Sequence, residues 1–311
     1  MTVTVEVTVN YFHMNILIVG TGALATLFAA RLSQAGNQIT MLGTWRHGLE
    51  ALQENGARLI DSNGHEHQFN VHVTDDPREC AGAKYALVLV KAWQTERVAG
   101  QLSQCLAEDG LAVTLQNGLG NYETLTRSLG LRRVALGITT TGATLLGPGL
   151  ARAGGEGTIS IQRDQALGPL EAGLKFAGFN VQIVEDAQSL IWGKLVINAA
   201  INPLTALLRV RNGELLENPS ARELMGTLAK EVALVALAEK IALPFSDPAS
   251  AVEEVARKTA QNHSSMLQDV LRNAPTEIDA INGAVVQAAQ KHGFEVPANW
   301  TCWKLVKALT G

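Results

Sequence analysis

The stretch that decides the fold runs from residue 15 to residue 42 and reads NILIVGTGALATLFAARLSQAGNQITML. It opens with an apolar run, Asn15–Gly20, which has the composition of a buried strand. The alanine-rich segment Ala23–Ala35 predicts a helix, and Gln38–Leu42 predicts a second strand. A strand, a glycine-rich turn and a helix in this order are typical of the start of a parallel α/β sheet.

The turn between this strand and this helix carries the pattern G-x-G-x-x-A. Gly20 allows the tight turn, Gly22 allows close approach of a pyrophosphate, and the small Ala25 lets the helix pack on the sheet. Free N–H groups at the helix N-terminus attract the phosphates. The pattern predicts a dinucleotide site formed by six consecutive residues: Gly20, Thr21, Gly22, Ala23, Leu24 and Ala25.

The identity of the dinucleotide is suggested by an absent residue type. Enzymes that use NAD usually place an Asp or Glu about 20 residues after the first glycine, where it binds the ribose 2′-hydroxyl. No acidic residue lies between Gly20 and Leu49, and Arg46 follows the second predicted strand. An arginine that no carboxylate opposes can bind a 2′-phosphate through its forked guanidinium. We therefore expect NADPH, the alternative being that Arg46 is only an exposed residue at a helix start.

Outward from this stretch, short β-branched runs alternate with helical patterns until about Asp186, after which helical periodicity dominates. Further strands are predicted at Arg58–Ile60 and Phe69–Val73, as a hairpin around Asn63-Gly64, and at Tyr85–Val90, Leu111–Leu115, Arg133–Thr141 and Phe179–Val184. Further helices are predicted at Trp45–Asn55, Ser189–Leu208, Ala221–Lys240, Ala249–Gln261, Thr276–His292 and Asn299–Leu309. The expected fold is an α/β Rossmann-type doubly wound sheet over residues 14–185, followed by an all-α domain over residues 186–311.

Residues 1–13, MTVTVEVTVNYFH, precede a first strand that is complete after Met14. Their alternating pattern is that of a strand, yet the Rossmann start does not need them. We favour a misplaced start codon or an appended tail, and an extra edge strand is the alternative.

Composition narrows the classes of partner. Lys and Arg number 25 and Asp and Glu number 29, which gives a net charge of −4. Neither nucleic acid nor an anionic membrane is expected as a partner, because no excess positive charge would attract them. Three scattered cysteines indicate reduced thiols in a cytoplasmic protein, and they lack the spacing of metal ligands, so no metal is expected.

Two loops follow apolar strands at the sheet edge where Rossmann proteins bind ligands. The first loop, residues 91–95, reads KAWQT, and the second, residues 116–121, reads QNGLGN. Lys91 and Gln94 in the first loop and Asn117 in the second are candidates for contact with the cofactor. Asn117 can also bond a substrate oxygen. The alternative is a lysine that reaches out to solvent and an ordinary glycine-rich turn.

The apolar segment Leu190–Leu208 contains Lys194, Asn198 and Asn202, which are four residues apart and share one helix face. A central lysine makes a membrane span unfavourable, so we expect a buried helix. The spacing favours a narrow polar stripe that faces a cleft, with Pro203 kinking the helix beyond it. A polar ladder satisfied inside the core is the alternative.

A second polar cluster lies at residues 262–265 (NHSS) and at Thr276-Glu277. Glu277 has a simple alternative explanation, since Thr276 can cap a helix whose dipole Glu277 would favour. Spacing alone does not decide between a helix start and a functional carboxylate.

Five segments together resemble the ketopantoate reductase family: KAWQT (91–95), LQNGLGN (115–121), GKLVINAAINPLTAL (193–207), RNGEL (211–215) and NHSSMLQDVLRNAPTEIDAING (262–283). The resemblance runs from Met14 to the C-terminus. It implies a Rossmann domain and a helical substrate domain with a cleft between them. It also implies reduction of ketopantoate to pantoate with NADPH, on the route to pantothenate and coenzyme A.

The resemblance further implies roles for individual residues. Lys194 resembles the general acid that protonates the alkoxide, and Glu277 resembles the acidic residue that orients this lysine and the substrate hydroxyl. Lys91 and Asn117 resemble the pair that bridges nicotinamide and substrate. The positions that resemble substrate-binding residues are Asn198, Asn202, Asn212, Asn262 and Ser265. Because a lysine with its ordinary pKa near 10.4 is a weak acid at neutral pH, we expect burial to lower the pKa of Lys194.

The expected activity is therefore the reduction of a 2-oxo acid by NADPH, with ketopantoate as the favoured substrate. A paralogue acting on another branched or larger 2-oxo acid is one alternative. A non-catalytic NADPH-binding sensor is another, although a sensor needs neither Lys194 nor Glu277. The apolar helices can serve as core or as interface, so monomer and homodimer both stay open.

Overall fold

The computed structural model describes residues 13–61, 63–155 and 157–310. The prediction of a tail or an extra strand for residues 1–13 therefore falls, apart from His13, outside the described residues. Within them, the deciding stretch folds as β1 (Asn15–Val19), α1 (Ala23–Gln34) and β2 (Gln38–Leu42), in agreement with the prediction.

Eight strands form the main sheet, in the order β12-β11-β8-β7-β6-β1-β2-β5. Besides β1 and β2, they are β5 (His72–Thr74), β6 (Ala83–Val88), β7 (Leu106–Thr114), β8 (Val134–Thr139), β11 (Thr158–Gln162) and β12 (Asn180–Val184). Neighbouring strands are parallel except β8 and β11, which are antiparallel. The strand β1 lies in the sheet between β2, which follows it in the sequence, and β6, which the chain reaches later on the opposite side of β1. The carboxyl ends of β1 and β6 therefore flank the crevice in which α/β sheets bind ligands.

Both faces of the main sheet are covered, which explains why its strands are continuous apolar runs. Because side chains alternate along a strand, Ile16 and Ile18 pack in a core with Phe28 of α1. Leu17 and Val19 pack in a separate core on the opposite face. The remaining helices of this part are α2 (Arg46–Asn55), α3 (Thr95–Cys105), α4 (Asn121–Leu129) and α5 (Gly168–Phe176).

A second, four-stranded sheet packs on α1 and was not predicted as such. Its strands are β3 (Ala57–Ile60), β4 (Glu66–Phe69), β9 (Ala143–Gly147) and β10 (Leu150–Ala153), in the order β4-β3-β10-β9. The hairpin of β3 and β4 is confirmed, but the bounds Phe69–Val73 for its second strand are wrong. The strand at Glu66–Phe69 is mostly exposed and polar, so apolar residues did not mark it. The apolar residues after it belong to β5, which joins the main sheet.

Beyond β12, each regular element that the structure describes is helical, and the predicted fold class is confirmed. The helices are α6 (Ala187–Leu208), α7 (Glu214–Glu217), α8 (Pro219–Ala238), α9 (Pro248–Lys258), α10 (Ser265–Leu271), α11 (Ala284–Lys291) and α12 (Pro297–Thr310). The predicted helix Thr276–His292 is wrong in its first part, where a π turn occupies Asp279–Gly283. The last strand, β12, ends at Val184 and α6 begins at Ala187, and the domain boundary near residue 185 stays a prediction.

The apolar helix α6 is the centre of the helical part and contacts α8, α9, α10 and α12. Among the described residues it is the one helix that is long and apolar enough to cross a membrane by length and composition. However, 67% of its apolar window is buried inside the protein. Burial of this kind is that of a core helix, as predicted. The helix runs on through Pro203 to Leu208.

Candidate active site

The phosphate loop (Gly20–Ala25) has the backbone geometry that a pyrophosphate needs. Gly20 has φ +130°, and a Cβ there would lie 3.2 Å from the backbone carbonyl of Leu89, so glycine is required. A Cβ on Gly22 would meet nothing within 4 Å, which leaves open space in front of the start of α1. The first turn of α1 has no acidic residue and no side-chain cap. Its free N–H groups therefore fit a bound phosphate.

Arg46 begins α2, and its side chain is 87% exposed. Its Nε donates to Glu50 Oε1 at 2.8 Å, and this hydrogen bond and the charge of Glu50 raise the pKa of Arg46. The expectation that no carboxylate opposes Arg46 is therefore wrong. The physical reason is helix geometry, because residues four apart on α2 lie side by side. The pair is exposed, so it leaves the guanidinium reachable by an anion from solvent.

Four parallel strands bring the other predicted residues to one edge of the sheet. β1, β6, β7 and β8 run in the same direction, so their carboxyl ends meet. The phosphate loop follows β1, Lys91 follows β6, Asn117 follows β7, and Thr139 ends β8. The helical part covers this edge and supplies the remaining side chains.

Glu277 joins the loops of the sheet to the helical part. It is 5% exposed and accepts three hydrogen bonds: from Ala92 N at 3.1 Å, from Asn117 Nδ2 at 3.2 Å and from Lys91 Nζ at 3.4 Å. A helical segment follows Glu277 and begins as a π turn, but the Glu277 carboxylate bonds the sheet loops, so a role in the helix dipole alone does not explain it. A buried carboxylate with three donors at a π turn has the features of a functional group.

The loop after β7 is held against the helical part by its backbone. Leu119 N donates to Ala280 O at 2.9 Å. Gly118 has φ +81°, and a Cβ there would lie 2.3 Å from the same Ala280 oxygen. Behind the loop, Gln116 bonds Thr95 and Asn121 bonds the carbonyl of Asn117. This fixes Asn117 beside Glu277.

Lys194 projects from α6 to the carboxyl end of β8, where Nζ donates to Thr139 O at 2.5 Å. Burial lowers the pKa of Lys194 to about 8, although the charge of Glu277 opposes this shift. No hydrogen bond joins Lys194 to Glu277 among the described residues, so Glu277 acts on Lys194 through its charge. The expected lowering of the lysine pKa is confirmed in direction.

Asn198 and Asn202 lie on the same face of α6 as Lys194. Within the described residues neither side chain has a hydrogen-bond partner, and neither has a polar atom sealed from solvent. The satisfied polar ladder is therefore not observed. Asn212 donates to Thr259 Oγ1 at 2.9 Å, and its Oδ1 is buried without a partner in the part of the chain that the structure describes.

Asn262 and Ser265 lie on the exposed loop before α10 and at its first residue. The carbonyl of Asn262 accepts from Asn212 N at 3.0 Å, which ties this loop to the buried Asn212. Gln94 lies in a short 3-10 turn and is partly buried. In the described ranges, no group of three or more His, Cys, Asp or Glu side chains could hold a metal ion.

Asp269 was not identified from the sequence. It lies on α10, is 3% exposed, and accepts from Lys91 Nζ at 2.6 Å and from Arg272 Nη2 at 3.2 Å. One feature of the sequence could have indicated its burial: on the short helix α10, Asp269 lies close to the apolar Leu267 and Val270. We call Lys91, Asn117, Lys194, Asp269 and Glu277 the boundary cluster. Glu277 and Asp269 raise the pKa of Lys91 by more than burial lowers it.

Two family models match this chain, and between them they cover most of it. Ketopantoate reductase PanE/ApbA matches residues 16–165, and Ketopantoate reductase PanE/ApbA C terminal matches residues 186–310. The chain belongs to the ketopantoate reductase family. It is accordingly an oxidoreductase, and the resemblance inferred from its motifs is confirmed.

Individual proteins agree with this assignment to the ketopantoate reductase family. A 2-dehydropantoate (ketopantoate) 2-reductase from Archaeoglobus fulgidus is 37% identical over 297 residues, 94% of this chain and 96% of that protein. A PanE/ApbA family ketopantoate reductase structure from Ralstonia eutropha JMP134 has a TM-score of 0.89 at 30% identity, covering 96% of this chain and 98% of that chain. The ternary structure of D-mandelate dehydrogenase with NADH and anilino(oxo)acetate has a TM-score of 0.89 at 26% identity, with the same coverage.

Proposed function

We propose that this member of the ketopantoate reductase family reduces ketopantoate to pantoate with NADPH. The observation that carries the proposal is Lys194, a partly buried ammonium with a pKa of about 8 at the carboxyl edge of the Rossmann sheet. Such a group is largely protonated at neutral pH and is still acidic enough to give up its proton. Three of its neighbours in the boundary cluster, Lys91, Asn117 and Glu277, can bind and orient a small 2-oxo acid.

The cofactor would be held by groups at the carboxyl edge. The N–H groups of the phosphate loop would bind the pyrophosphate, and Arg46 would bind the 2′-phosphate in competition with Glu50. Lys91, Gln94 and Asn117 would lie on the nicotinamide side. When bound, the nicotinamide supplies the hydride that reduces the ketone.

Charge favours an anionic substrate. The boundary carries three cations, Lys91, Lys194 and Arg272, and two carboxylates, Asp269 and Glu277. The surplus positive charge matches the single carboxylate of a 2-oxo acid. Neutral groups for that substrate would come from Asn198 and Asn202 on α6 and, as the family resemblance implies, from Asn212, Asn262 and Ser265.

Lys194 would stabilise negative charge as it develops on the ketone oxygen and then transfer a proton from Nζ to that oxygen. The carbonyl of Thr139 holds the ammonium in place, and Glu277 stabilises its positive charge. The neutral amine that remains would regain a proton from water. Glu277 can also accept a hydrogen bond from the substrate hydroxyl.

The second candidate is a paralogous reductase of another 2-oxo acid. The similarity to D-mandelate dehydrogenase with NADH favours it, because the same fold there holds a different 2-oxo acid analogue and the other nicotinamide cofactor. A non-catalytic sensor is less well supported, since it has no need of the low lysine pKa at position 194. A cytoplasmic location without nucleic-acid or membrane partners, as monomer or homodimer, stays a prediction from the sequence.

The proposal is tested by measuring NADPH and NADH oxidation with a panel of 2-oxo acids: ketopantoate, 2-oxoisovalerate, 2-oxoisocaproate and benzoylformate. We expect the highest kcat/KM with ketopantoate and NADPH. Higher kcat/KM with benzoylformate or with NADH would support the paralogue instead. Cofactor binding without turnover of any acid would support the sensor.

A further inference from the structure

Asp269 is the nearest carboxylate to Lys91, and the proposed chemistry does not use it. The Lys91 ammonium lies 2.6 Å from Asp269 Oδ2 and 3.4 Å from Glu277 Oε2. The first distance is that of a strong charge-assisted hydrogen bond, and the second lies outside that range. The main ion pair of Lys91 is therefore with Asp269, although its ammonium lies within 4 Å of both carboxylates.

The environment of Asp269 is costly for a carboxylate. The side chain is 4% exposed, and burial raises its pKa, an effect that Lys91 and Arg272 oppose. A buried ion pair is seldom more stabilising than apolar residues of the same volume. A contribution to folding stability therefore does not explain why a carboxylate is buried at this position. Its contact with Lys91 points instead to a role in the candidate active site.

We propose that Asp269 is a positioning residue, which holds the Lys91 ammonium away from Glu277 and so leaves the Glu277 carboxylate free to act on Lys194 and the substrate hydroxyl. This inference rests on the proposed function. Asp269 comes from α10 and Lys91 from the loop after β6, so the pair also fixes how the helical part meets the sheet edge.

Removal of the Asp269 charge should redistribute the remaining charges at the boundary. Glu277 becomes the nearest carboxylate to Lys91 in the described part of the chain, and the ammonium would move toward it. Glu277 would then be more fully neutralised and would support the Lys194 ammonium less. The pKa of Lys194 should fall, and less of the enzyme would carry the proton at a given pH.

The test compares Asp269→Asn, Lys91→Met and the double variant in kcat, KM and pH profile. For Asp269→Asn we expect kcat to fall less than about twofold at pH 7 and about 3- to 10-fold above pH 9, with a smaller change in KM. The alkaline limb of the kcat profile should move down by about half a pH unit to one unit. In the Lys91→Met background, Asp269→Asn should cause no further shift of that limb, since the residue it positions is gone.

Two control variants separate this role from others. Arg272→Gln removes the second partner of Asp269, and Glu253→Gln breaks a surface ion pair of the same 2.6 Å length with Arg222. Glu253→Gln should behave as wild type, whereas Arg272→Gln, which removes a boundary cation, should raise KM but leave the alkaline limb in place. A limb shift in Arg272→Gln as large as in Asp269→Asn would contradict the inference, because Asp269 would then act through Arg272.

Three results would overturn the inference: no change in Asp269→Asn, a loss of kcat without a limb shift, or an equal loss with and without Lys91. If Asp269→Asn fails to fold, the double variant decides. Recovery of the fold with activity no lower than Lys91→Met supports the pairing, and failure to recover contradicts it. Failure of the proposed function is distinct, since wild type itself would then not reduce the 2-oxo acids.

Discussion

The phosphate loop and the boundary cluster lie at the same sheet edge but are built in opposite ways. The phosphate loop consists of six consecutive residues, and it offers backbone N–H groups and open space without a charged side chain. The boundary cluster joins five side chains from segments that are far apart in the sequence, and each depends on the charge of another. Substitutions in the loop should therefore act through shape, whereas substitutions in the cluster should act through charge.

The largest effect is expected at the centre of the cluster, in Lys194→Met. Loss of the proton donor should lower kcat about 10³- to 10⁴-fold. Binding of NADPH, followed by fluorescence, should change little, because the phosphate loop is intact. The thermal midpoint should hold or rise, since a partly buried charge is removed. Lys230→Met, at an exposed lysine of α8, is the control and should behave as wild type.

A pair of glycines in the loop after β7 tests whether close backbone contact with the helical part supports the boundary cluster. Gly118 and Gly120 both have positive φ, but only Gly118 faces the Ala280 oxygen within contact distance. Gly118→Ala should therefore lower the free energy of unfolding by about 3 kcal/mol, from strain and overlap together. Gly120→Ala carries the strain alone and should cost about 1 kcal/mol. Equal losses in urea unfolding would show that the contact with Ala280 is unimportant.

The substitution Arg46→Ala should weaken the binding of only one of the two nicotinamide cofactors. Affinity for NADPH should drop about 10- to 100-fold, since a charge-assisted bond to the 2′-phosphate is lost. Affinity for NADH should be unchanged. The measurement is titration of both cofactors, with Arg222→Ala as a control that breaks a surface pair elsewhere. A similar loss for both cofactors would give Arg46 a structural role instead.

The smallest effect is expected for Glu50→Gln, which removes the carboxylate that forms an ion pair with Arg46. Removal of this competing carboxylate should tighten NADPH binding about two- to fourfold and leave NADH unaffected. Added salt should reduce the difference, because the pair is exposed. Glu54→Gln, one turn further along α2, is the matched control. Weaker NADPH binding in Glu50→Gln would mean that Glu50 orients Arg46 rather than competing with the phosphate.

The same contrast explains how much could be predicted from the sequence. The phosphate loop and α1 were predicted closely, because strand, turn and helix signals lie in one short stretch. The polar stripe on α6 was also visible, since helical spacing alone places Lys194, Asn198 and Asn202 on one face. Lys91 and Asn117 were candidates because they follow apolar strands, whereas Glu277 and the roles of all four residues came from the resemblance to the ketopantoate reductase family.

The features that sequence patterns missed are of two kinds. Some depend on pairing between segments far apart in the sequence, and others on local geometry that no pattern of apolar residues marks. The strand β10 pairs with β3, where Leu150 lies opposite Arg58 from 92 residues earlier in the sequence. The pairing of Arg46 with Glu50 was missed because Glu50 lies one residue beyond Gly20–Leu49, the segment without acidic residues. Asp269 was missed because its burial depends on the docking of Lys91 against α10, which no local sequence pattern shows.

The central claim is that Lys194 donates the proton, and the pH profile of kcat tests it most directly. The donor form is the protonated one, so activity should be full below the pKa of Lys194, about 8, and lost as the pH rises through it. Lys194→Met should show only its low residual rate, without this limb, while Arg46→Ala should keep it. A limb near pH 8 that persists in Lys194→Met would contradict the account. A limb found only above the ordinary lysine pKa would assign the proton to Lys91, whose pKa is raised.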